Sequence, residues 1–303
     1  MMQLQKLLSV GTAIPMRLRS WKKEKCKNPV LWGSSSDVPQ IRGRLQKGVS
    51  IVRVKRKIYS GAVCEQVIYN VSDSAQDLKK AKPRLRFKDE AERAAHRLAI
   101  SKRNHARIIN ENFRAGSLYV TLTLDDEHEV HTFKDAKRIR DNYMRRLQYA
   151  CPDAKITAYL GRGKSTHRIH MHMLIDGVPE ELISAKWGKG NVLRIEKLRE
   201  HNYYNNVDHG QDFTGIANYL FDHWTEDQGG HRYKGTKNLR KPQKEEVQEA
   251  KRNYSEDHPP ITPKGYVLVD VKVNKYGYMY FKYVKIPPKK RKNLSEDRRE
   301  KAL

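Results

Sequence analysis

The composition of this chain points to a polyanionic partner. Among its 303 residues, 61 are Lys or Arg and 35 are Asp or Glu, which gives a formal net charge of +26. That excess is atypical of a metabolic enzyme and predicts binding to nucleic acid, although a solvated basic surface or a ribosome contact would give a similar composition. No apolar run approaches the roughly 18 residues of a membrane-spanning helix, so no membrane partner is expected. Three widely spaced cysteines favour neither a disulfide framework nor a zinc knuckle, which fits a cytoplasmic protein.

The first half of the chain contains two predicted strands, a helix and a third strand. The strands, at residues 51–59 and 62–71, are joined near Gly61. Residues 84–112 are rich in Arg, Lys and Ala and contain no Gly or Pro, so they predict a long basic helix. Residues 118–124 alternate apolar with polar or aromatic side chains, which predicts a half-buried strand.

A helix and a hairpin follow. Thr132 is suited to cap the helix, with Asp135 in its first turn. Residues 155–160 and 169–175 predict two strands, joined by a turn at 161–168. The second strand of this hairpin carries the most informative pattern in the chain.

The pattern in residues 169–175 is His-x-His within an apolar strand. Because a strand points alternate side chains to one face, His170 and His172 project together, about 7 Å apart. The side chains between them point into a core. Two imidazoles on one rigid face suit half of a metal site, and the alternative is a pair of solvent-facing histidines on a half-buried strand.

A further helix carries a tyrosine beside its apolar face. Asp212 is suited to cap it. The apolar stripe has helical spacing and consists of Phe213, Ile216, Ala217, Leu220 and Trp224. Tyr219 lies off this stripe, close to Asp222 and His223 on the adjoining face.

These patterns divide the chain into five predicted parts. Residues 1–50 form a poorly defined N-terminal segment, and 51–245 form the main domain, including the basic helix. Residues 246–265 are a linker, 266–286 a C-terminal β-hairpin, and 287–303 a basic, disordered tail.

Three motifs in fixed order resemble the HUH endonucleases, in particular the rolling-circle replication initiators of bacterial plasmids, filamentous phages and integrative elements. They are the strand 120–124 (VTLTL), the pair His170 and His172 around Met171, and Tyr219 on a helix. Shorter similar stretches are 109–113, 232–233 and 237–242. The resemblance covers about residues 50–245.

The resemblance implies both a fold and an activity. The fold is α+β, a central antiparallel β-sheet flanked by helices in a ferredoxin-like, RRM-like arrangement, and we expect the helices on one face. Tyr219 would attack single-stranded DNA at an origin hairpin and form a 5′-phosphotyrosine intermediate, assisted by Mg²⁺ or Mn²⁺ on the histidines. Partners would be single-stranded DNA and the helicase and polymerase machinery of a bacterial host, in the cytoplasm.

The chain departs from the family at the third metal ligand. Many relatives place a carboxylate, Gln or His on the strand before the His pair, but residues 156–160 contain none of these. His167, three residues before His170, is the leading candidate, and a turn histidine that contacts phosphate or solvent is the alternative. Asp125 and Asp126 are weaker candidates.

Two further departures concern the tyrosine helix. Asp222 stands where relatives often have a lysine, and His223 or Lys234 is the alternative for that role. His223 also stands where two-tyrosine relatives carry their second tyrosine, which favours a single-tyrosine enzyme. Asp222 and His223 are therefore possible auxiliary residues.

Basic residues near these motifs are the predicted DNA contacts, because Lys and Arg bind phosphates. They are Arg162, Lys164, Arg168, Lys234, Lys237, Arg240 and Lys241. The alternative functions are a relaxase or single-strand transposase of the same chemistry, and a non-catalytic nucleic-acid-binding protein. The late position of Tyr219 argues against a relaxase, and the lack of several stacking aromatics argues against an RNA-binding sheet.

Overall fold

The computed structural model describes residues 51–72, 87–163, 166–274 and 277–286. Predictions for the N-terminal segment, for the basic tail, for Lys164 and for the start of the first predicted helix lie outside these residues. The described part is α+β with antiparallel sheets, as predicted. Its α-helices are α1 (Glu90–Asn112), α2 (Phe133–Ala150), α3 (Glu180–Trp187) and α4 (Thr214–Phe221).

The strands of the described part are of two kinds. The longer ones are β1 (Ile51–Ser60), β2 (Val63–Ser72), β3 (Leu118–Thr123), β4 (Lys155–Arg162), β5 (Ile169–Asp176), β6 (Val192–Lys197), β12 (Val267–Val273) and β13 (Met279–Val284). The two-residue strands are β7 (Tyr203–Tyr204), β8 (Val207–Asp208), β9 (Lys234–Gly235), β10 (Gln243–Lys244) and β11 (Gln248–Glu249). None of the described helices is both long and apolar enough to cross a membrane.

A five-stranded antiparallel sheet contains the His-x-His strand at its centre, in the order β6-β3-β5-β4-β9. In β3–β5 pairing, Thr121 lies opposite His172 and Thr123 opposite His170. On the other side of β5, Tyr159 lies opposite His172 and Gly161 opposite His170. The residues around the histidines are therefore fixed by register on both neighbouring strands.

Helices cover both faces of this sheet, so the prediction of helices on one face is wrong. One face of β3, β4 and β5 packs against α2 and α3 in an apolar core that includes Val120, Met171 and Trp187. The opposite face packs against α1 and α4 in a second core that includes Tyr119 and Leu174. Apolar residues at alternate positions on both faces of the strands make this possible, because each face then has a core to enter.

Local signals place the helix starts close to where the sequence predicts them. The Thr132 side chain caps α2 and accepts a hydrogen bond from the Asp135 amide at 3.2 Å. Asp212 lies one residue before the cap position of α4, but its carboxylate still accepts from the Thr214 amide at 3.0 Å. Both contacts satisfy amides that a first helical turn leaves without partners.

A six-stranded sheet, of order β10-β1-β2-β13-β12 with β11 also paired to β1, packs against α1. The hairpin of β12 and β13 therefore shares a sheet with β1 and β2. Buried ion pairs connect this sheet to the rest: Glu65 with Arg107 of α1, and Lys282 with Asp212 before α4. Tyr280 donates a 2.6 Å hydrogen bond to Glu65 and completes the first of these contacts.

Candidate metal centre and neighbouring tyrosine

Three histidines lie together at one end of the β5 strand and α4. They are His170, His172 and His223, and their candidate ligand nitrogens all lie within 4.8 Å of one another. The ring centroid of His172 is 4.8 Å from that of His170 and 4.6 Å from that of His223. Such a cluster could hold a metal ion.

His172 presents one of its nitrogens to this cluster. Its Nδ1 lies 2.9 Å from the Tyr119 hydroxyl and 3.0 Å from the Thr121 hydroxyl. Its Nε2 is buried and has no hydrogen-bond partner among the described residues. Burial, together with the neighbouring His170, His223 and Arg194, lowers the pKa of His172 to about 3. The ring is therefore neutral at physiological pH. In the tautomer in which Nδ1 donates its hydrogen to one of the two hydroxyls, Nε2 carries the lone pair that a metal ion would need.

The same reasoning applies to the other two histidines. His223 Nδ1 lies 2.8 Å from the Tyr219 carbonyl oxygen, and because a carbonyl only accepts, this nitrogen carries the hydrogen. Nε2 is then the nitrogen of His223 that is left to contact a metal ion. Burial, and next the charge of His223, lower the pKa of His170, while a backbone hydrogen bond with Arg168 opposes them. The rings of His172 and His223 are thus oriented by hydrogen bonds, and the pKa values of His170 and His172 are lowered, which favours their neutral forms.

Gly161 provides space for these rings. A Cβ atom at this position would lie 2.8 Å from His170 Nε2 and 3.1 Å from His223 Cδ2. Any larger residue would therefore displace the histidines. The absence of a side chain opposite His170 is part of what forms the cluster.

Tyr219 lies beside the histidine cluster. Its ring centroid is 4.3 Å from that of His223 and 6.1 Å from that of His172, and the side chain is 40% exposed. A hydrogen bond also connects it to Tyr119, whose pKa is raised to about 12, mainly by burial. The phenol is therefore accessible to a substrate and close to the histidines.

The structure brings His223, and not His167, to the His pair. His167 lies in the β4–β5 turn with a positive φ of 56°, and its backbone carbonyl accepts a 3.0 Å hydrogen bond from Arg162. Asp125 is also outside the cluster, where it contacts His128 at 2.7 Å. The sequence places His223 only among the auxiliary residues because it lies far from the His pair along the chain.

Asp222 makes an ion pair with a residue from another helix. Its carboxylate contacts the ammonium group of Lys102 on α1, and both groups are partly exposed. Lys102 is a residue that sequence reasoning did not single out. It brings a positive charge to the end of α4, next to Asp222, which stands where relatives often have a lysine.

The predicted DNA contacts fall into two groups. Arg162 and Arg168 are engaged with acids, Arg162 with Asp227 at 3.7 Å and Arg168 with Asp126 at 2.8 Å. The side chains of the other described candidates are more exposed, although Arg240 also lies 4.0 Å from Glu111; they are Lys234, Lys237, Arg240 and Lys241. The second group is the better placed to contact phosphates.

Tyr119 and Thr121 are the residues around the histidine cluster that sequence reasoning missed. Their signal is present, because the alternation of β3 puts both side chains on one face, and antiparallel pairing puts Thr121 opposite His172. The sequence alone does not show that β3 is the strand that pairs with β5.

Comparisons with protein-family models, with curated proteins and with solved structures found no match to this chain.

Proposed function

We propose that this protein nicks and rejoins single-stranded DNA by tyrosine transesterification, as a rolling-circle replication initiator of the HUH type. The observation that carries the proposal is the position of an accessible phenol, Tyr219, beside a cluster of three histidines. The resemblance of the sequence motifs supports the same assignment. Unwinding and synthesis would come from host helicase and polymerase.

The reaction uses the Tyr219 hydroxyl as the nucleophile. Its oxygen forms a bond to the phosphorus as the bond from phosphorus to the 3′ oxygen breaks. The phenol loses its proton and the leaving 3′ oxygen gains one, which leaves a 5′-phosphotyrosine and a free 3′-hydroxyl. Attack of a 3′-hydroxyl on this phosphotyrosine reverses the step and joins the strand.

The three imidazoles would hold a divalent cation that polarises the scissile phosphate and stabilises the charge of the transition state. A phenol has a pKa near 10, so it needs such assistance at neutral pH. Imidazole nitrogens suit transition-metal ions, whereas Mg²⁺ prefers oxygen ligands. Of the two ions expected from the sequence, we therefore propose Mn²⁺.

Exposed basic residues outside the histidine cluster are suited to bind a DNA strand. Lys234, Lys237, Arg240 and Lys241 are exposed, and the chain carries a large positive charge. Arg194, whose charge acts on both His172 and Tyr119, adds a cation on the strand β6, where it also pairs with Glu196. These groups would bind phosphates independently of base sequence.

The burial of the aromatic residues disfavours the alternative of an RNA-binding sheet. Such a sheet stacks bases on exposed aromatics of its central strands. Tyr119 and Tyr159 are 7% and 0% exposed, because α1 and α4 cover this face.

The test is covalent attachment of the protein to labelled single-stranded DNA. With Mn²⁺ and a set of origin-like hairpins, we expect a protein–DNA adduct that survives denaturing electrophoresis. Tyr219→Phe should abolish it, since the nucleophilic oxygen is gone. Tyr204→Phe is the matched control and should retain it, because Tyr204 is 69% exposed and lies on β7, outside the cluster. An adduct that persists in Tyr219→Phe would contradict the proposal, as would no adduct with any hairpin.

A further inference from the structure

A second cleft lies between α1 and the segment that follows α4. It has a volume of about 590 Å³ and is bounded by Ser101 and Ile108 of α1, by Phe221 at the end of α4, and by residues of the segment 230–241. Pockets for small ligands typically range from roughly 300 to 1,000 Å³. The cleft is thus large enough for a nucleotide and does not include the three histidines.

Part of the cleft wall is apolar and aromatic. Ile108, Leu239 and the ring of Tyr233 line it. Tyr233 is held in place, since its ring stacks on Tyr159 at 5.7 Å and contacts His105 at 4.7 Å. A fixed aromatic ring beside aliphatic side chains suits the flat face of a base.

Two cationic side chains, Arg232 and Lys241, line the cleft together with His231. Among the described residues, no Asp or Glu lines it. The Arg232 guanidinium lies 4.6 Å above the Phe221 ring and 4.2 Å from that of Trp224, so it is oriented before any ligand binds. The cleft wall is therefore suited to a ligand that carries both a negative charge and an aromatic ring.

We propose that this cleft binds one unstacked nucleotide of the substrate strand, with its base against Tyr233 and its phosphate on Arg232 or Lys241. The inference rests on the proposed function, which makes single-stranded DNA the ligand. Phe221 lies two residues after Tyr219, so the cleft begins at the same end of α4 as the candidate nucleophile. Because residues two apart face different sides of a helix, the strand would pass around this end of α4 to reach both. The cleft would fix the strand beside the site of attack.

The experiment compares the binding of two probes, an oligothymidine of about 12 nucleotides and an abasic oligonucleotide of the same length. Both carry the same phosphates, so the ratio of their affinities measures what the bases contribute. Fluorescence anisotropy in the Tyr219→Phe background with EDTA removes chemistry and metal from the measurement. Stacking of one base should make this ratio roughly 5- to 100-fold.

Ser101→Trp is the variant that fills the cleft, because Ser101 is exposed on α1 at its rim. We expect it to lower the affinity ratio at least about fivefold. Ala95→Trp is the matched control on an exposed position of α1 outside the cleft lining, and it should retain the wild-type ratio. If Ser101→Trp fails to fold by circular dichroism, Tyr233→Ala replaces it, because it removes the ring proposed to contact the base. Tyr204→Ala is then the control, because Tyr204 is an exposed tyrosine outside the cleft lining.

A folded Ser101→Trp protein with the wild-type ratio would overturn the proposal. If that variant keeps the ratio but loses calorimetric binding of free thymidine monophosphate that the wild type shows, the cleft takes a free nucleotide and its assignment to the strand is wrong. The two proposals fail separately. If the wild-type protein forms no covalent adduct but Ser101→Trp lowers the affinity ratio, the nicking proposal alone is rejected. If the wild-type protein forms the adduct but Ser101→Trp keeps the wild-type affinity ratio, the cleft proposal alone is rejected.

Discussion

Replacement of Gly161 by Ala tests whether the three histidines form a metal site. Gly161 is opposite His170 in the β4–β5 register, and an added Cβ would lie 2.8 Å from His170 Nε2. Ordinary van der Waals contact begins near 3.4 Å, so the ring must move by about 0.6 Å. His170 is half-buried and can rotate, which lets the fold accommodate the change.

This displacement is large for a metal ligand. Distances between a metal and its ligands are defined to about 0.2 Å. We therefore expect Gly161→Ala to weaken Mn²⁺ binding roughly 10- to 100-fold, or about 1.4 to 2.7 kcal/mol. The free energy of unfolding without metal should change by less than about 1 kcal/mol, because Ala replaces Gly in extended backbone.

The assay is calorimetric titration with Mn²⁺, with thermal unfolding measured with and without the ion. The ion should raise the melting temperature of the wild type much more than that of the variant, since a ligand stabilises the state that binds it. Gly215→Ala is the matched control, because a Cβ at Gly215 on α4 meets nothing within 4 Å. A folded Gly161→Ala protein that binds Mn²⁺ within about twofold of the wild type would refute the assignment of His170 as a ligand.

Three other substitutions test the polar contacts around this centre and the sheets. Tyr119→Phe removes the 2.9 Å hydrogen bond to His172 Nδ1, and we expect about tenfold weaker Mn²⁺ binding by calorimetry, with unchanged affinity as the contrary result. Burial lowers the pKa of His105 to about 4, so below about pH 6.5 the unfolded chain binds a proton that the folded chain does not, and stability falls as the pH decreases towards 4. Between pH 7 and pH 5 the free energy of unfolding should fall by about 2 kcal/mol because of this group. Denaturant unfolding of His105→Gln should show a fall smaller by that amount. An identical fall in the variant and the wild type would contradict the reasoning. Lys282→Met leaves the Asp212 carboxylate buried without its cation and should lower the free energy of unfolding by about 3 to 5 kcal/mol. Adding Asp212→Asn should restore part of this loss. A loss below about 1 kcal/mol in the single variant would count against the buried pair.

Much of the fold near the site follows from local patterns. The alternation in residues 118–124 and 169–175 predicted β3 and β5, and the capping residue Thr132 predicted the start of α2. Such signals work because a strand or helix repeats its side-chain directions at a fixed period. Strand β6 was not predicted, since its half-exposed position at the sheet edge leaves little apolar alternation.

The arrangement of helices around the five-stranded sheet was less accessible. The sequence predicted helices on one face, but α1 and α4 cover the face that carries His172. That face is formed by Tyr119, Tyr159 and Leu174. Large aromatic side chains occur both on faces buried by helices and on faces exposed to solvent, so their presence does not decide between the two. Which of the two occurs depends on whether a helix from elsewhere in the chain has an apolar stripe to pack there.

The amino-acid sequence by itself determined that His170 and His172 share a face and that Tyr219 lies beside, not within, the apolar stripe of its helix. Both are properties of a single element, set by its period. The tertiary structure alone decided that His223 joins the pair and that His167 does not. His167 is close to the pair along the chain, but its turn conformation takes it outside the cluster, whereas the packing of α4 against the sheet brings His223 and Tyr219 together with His172.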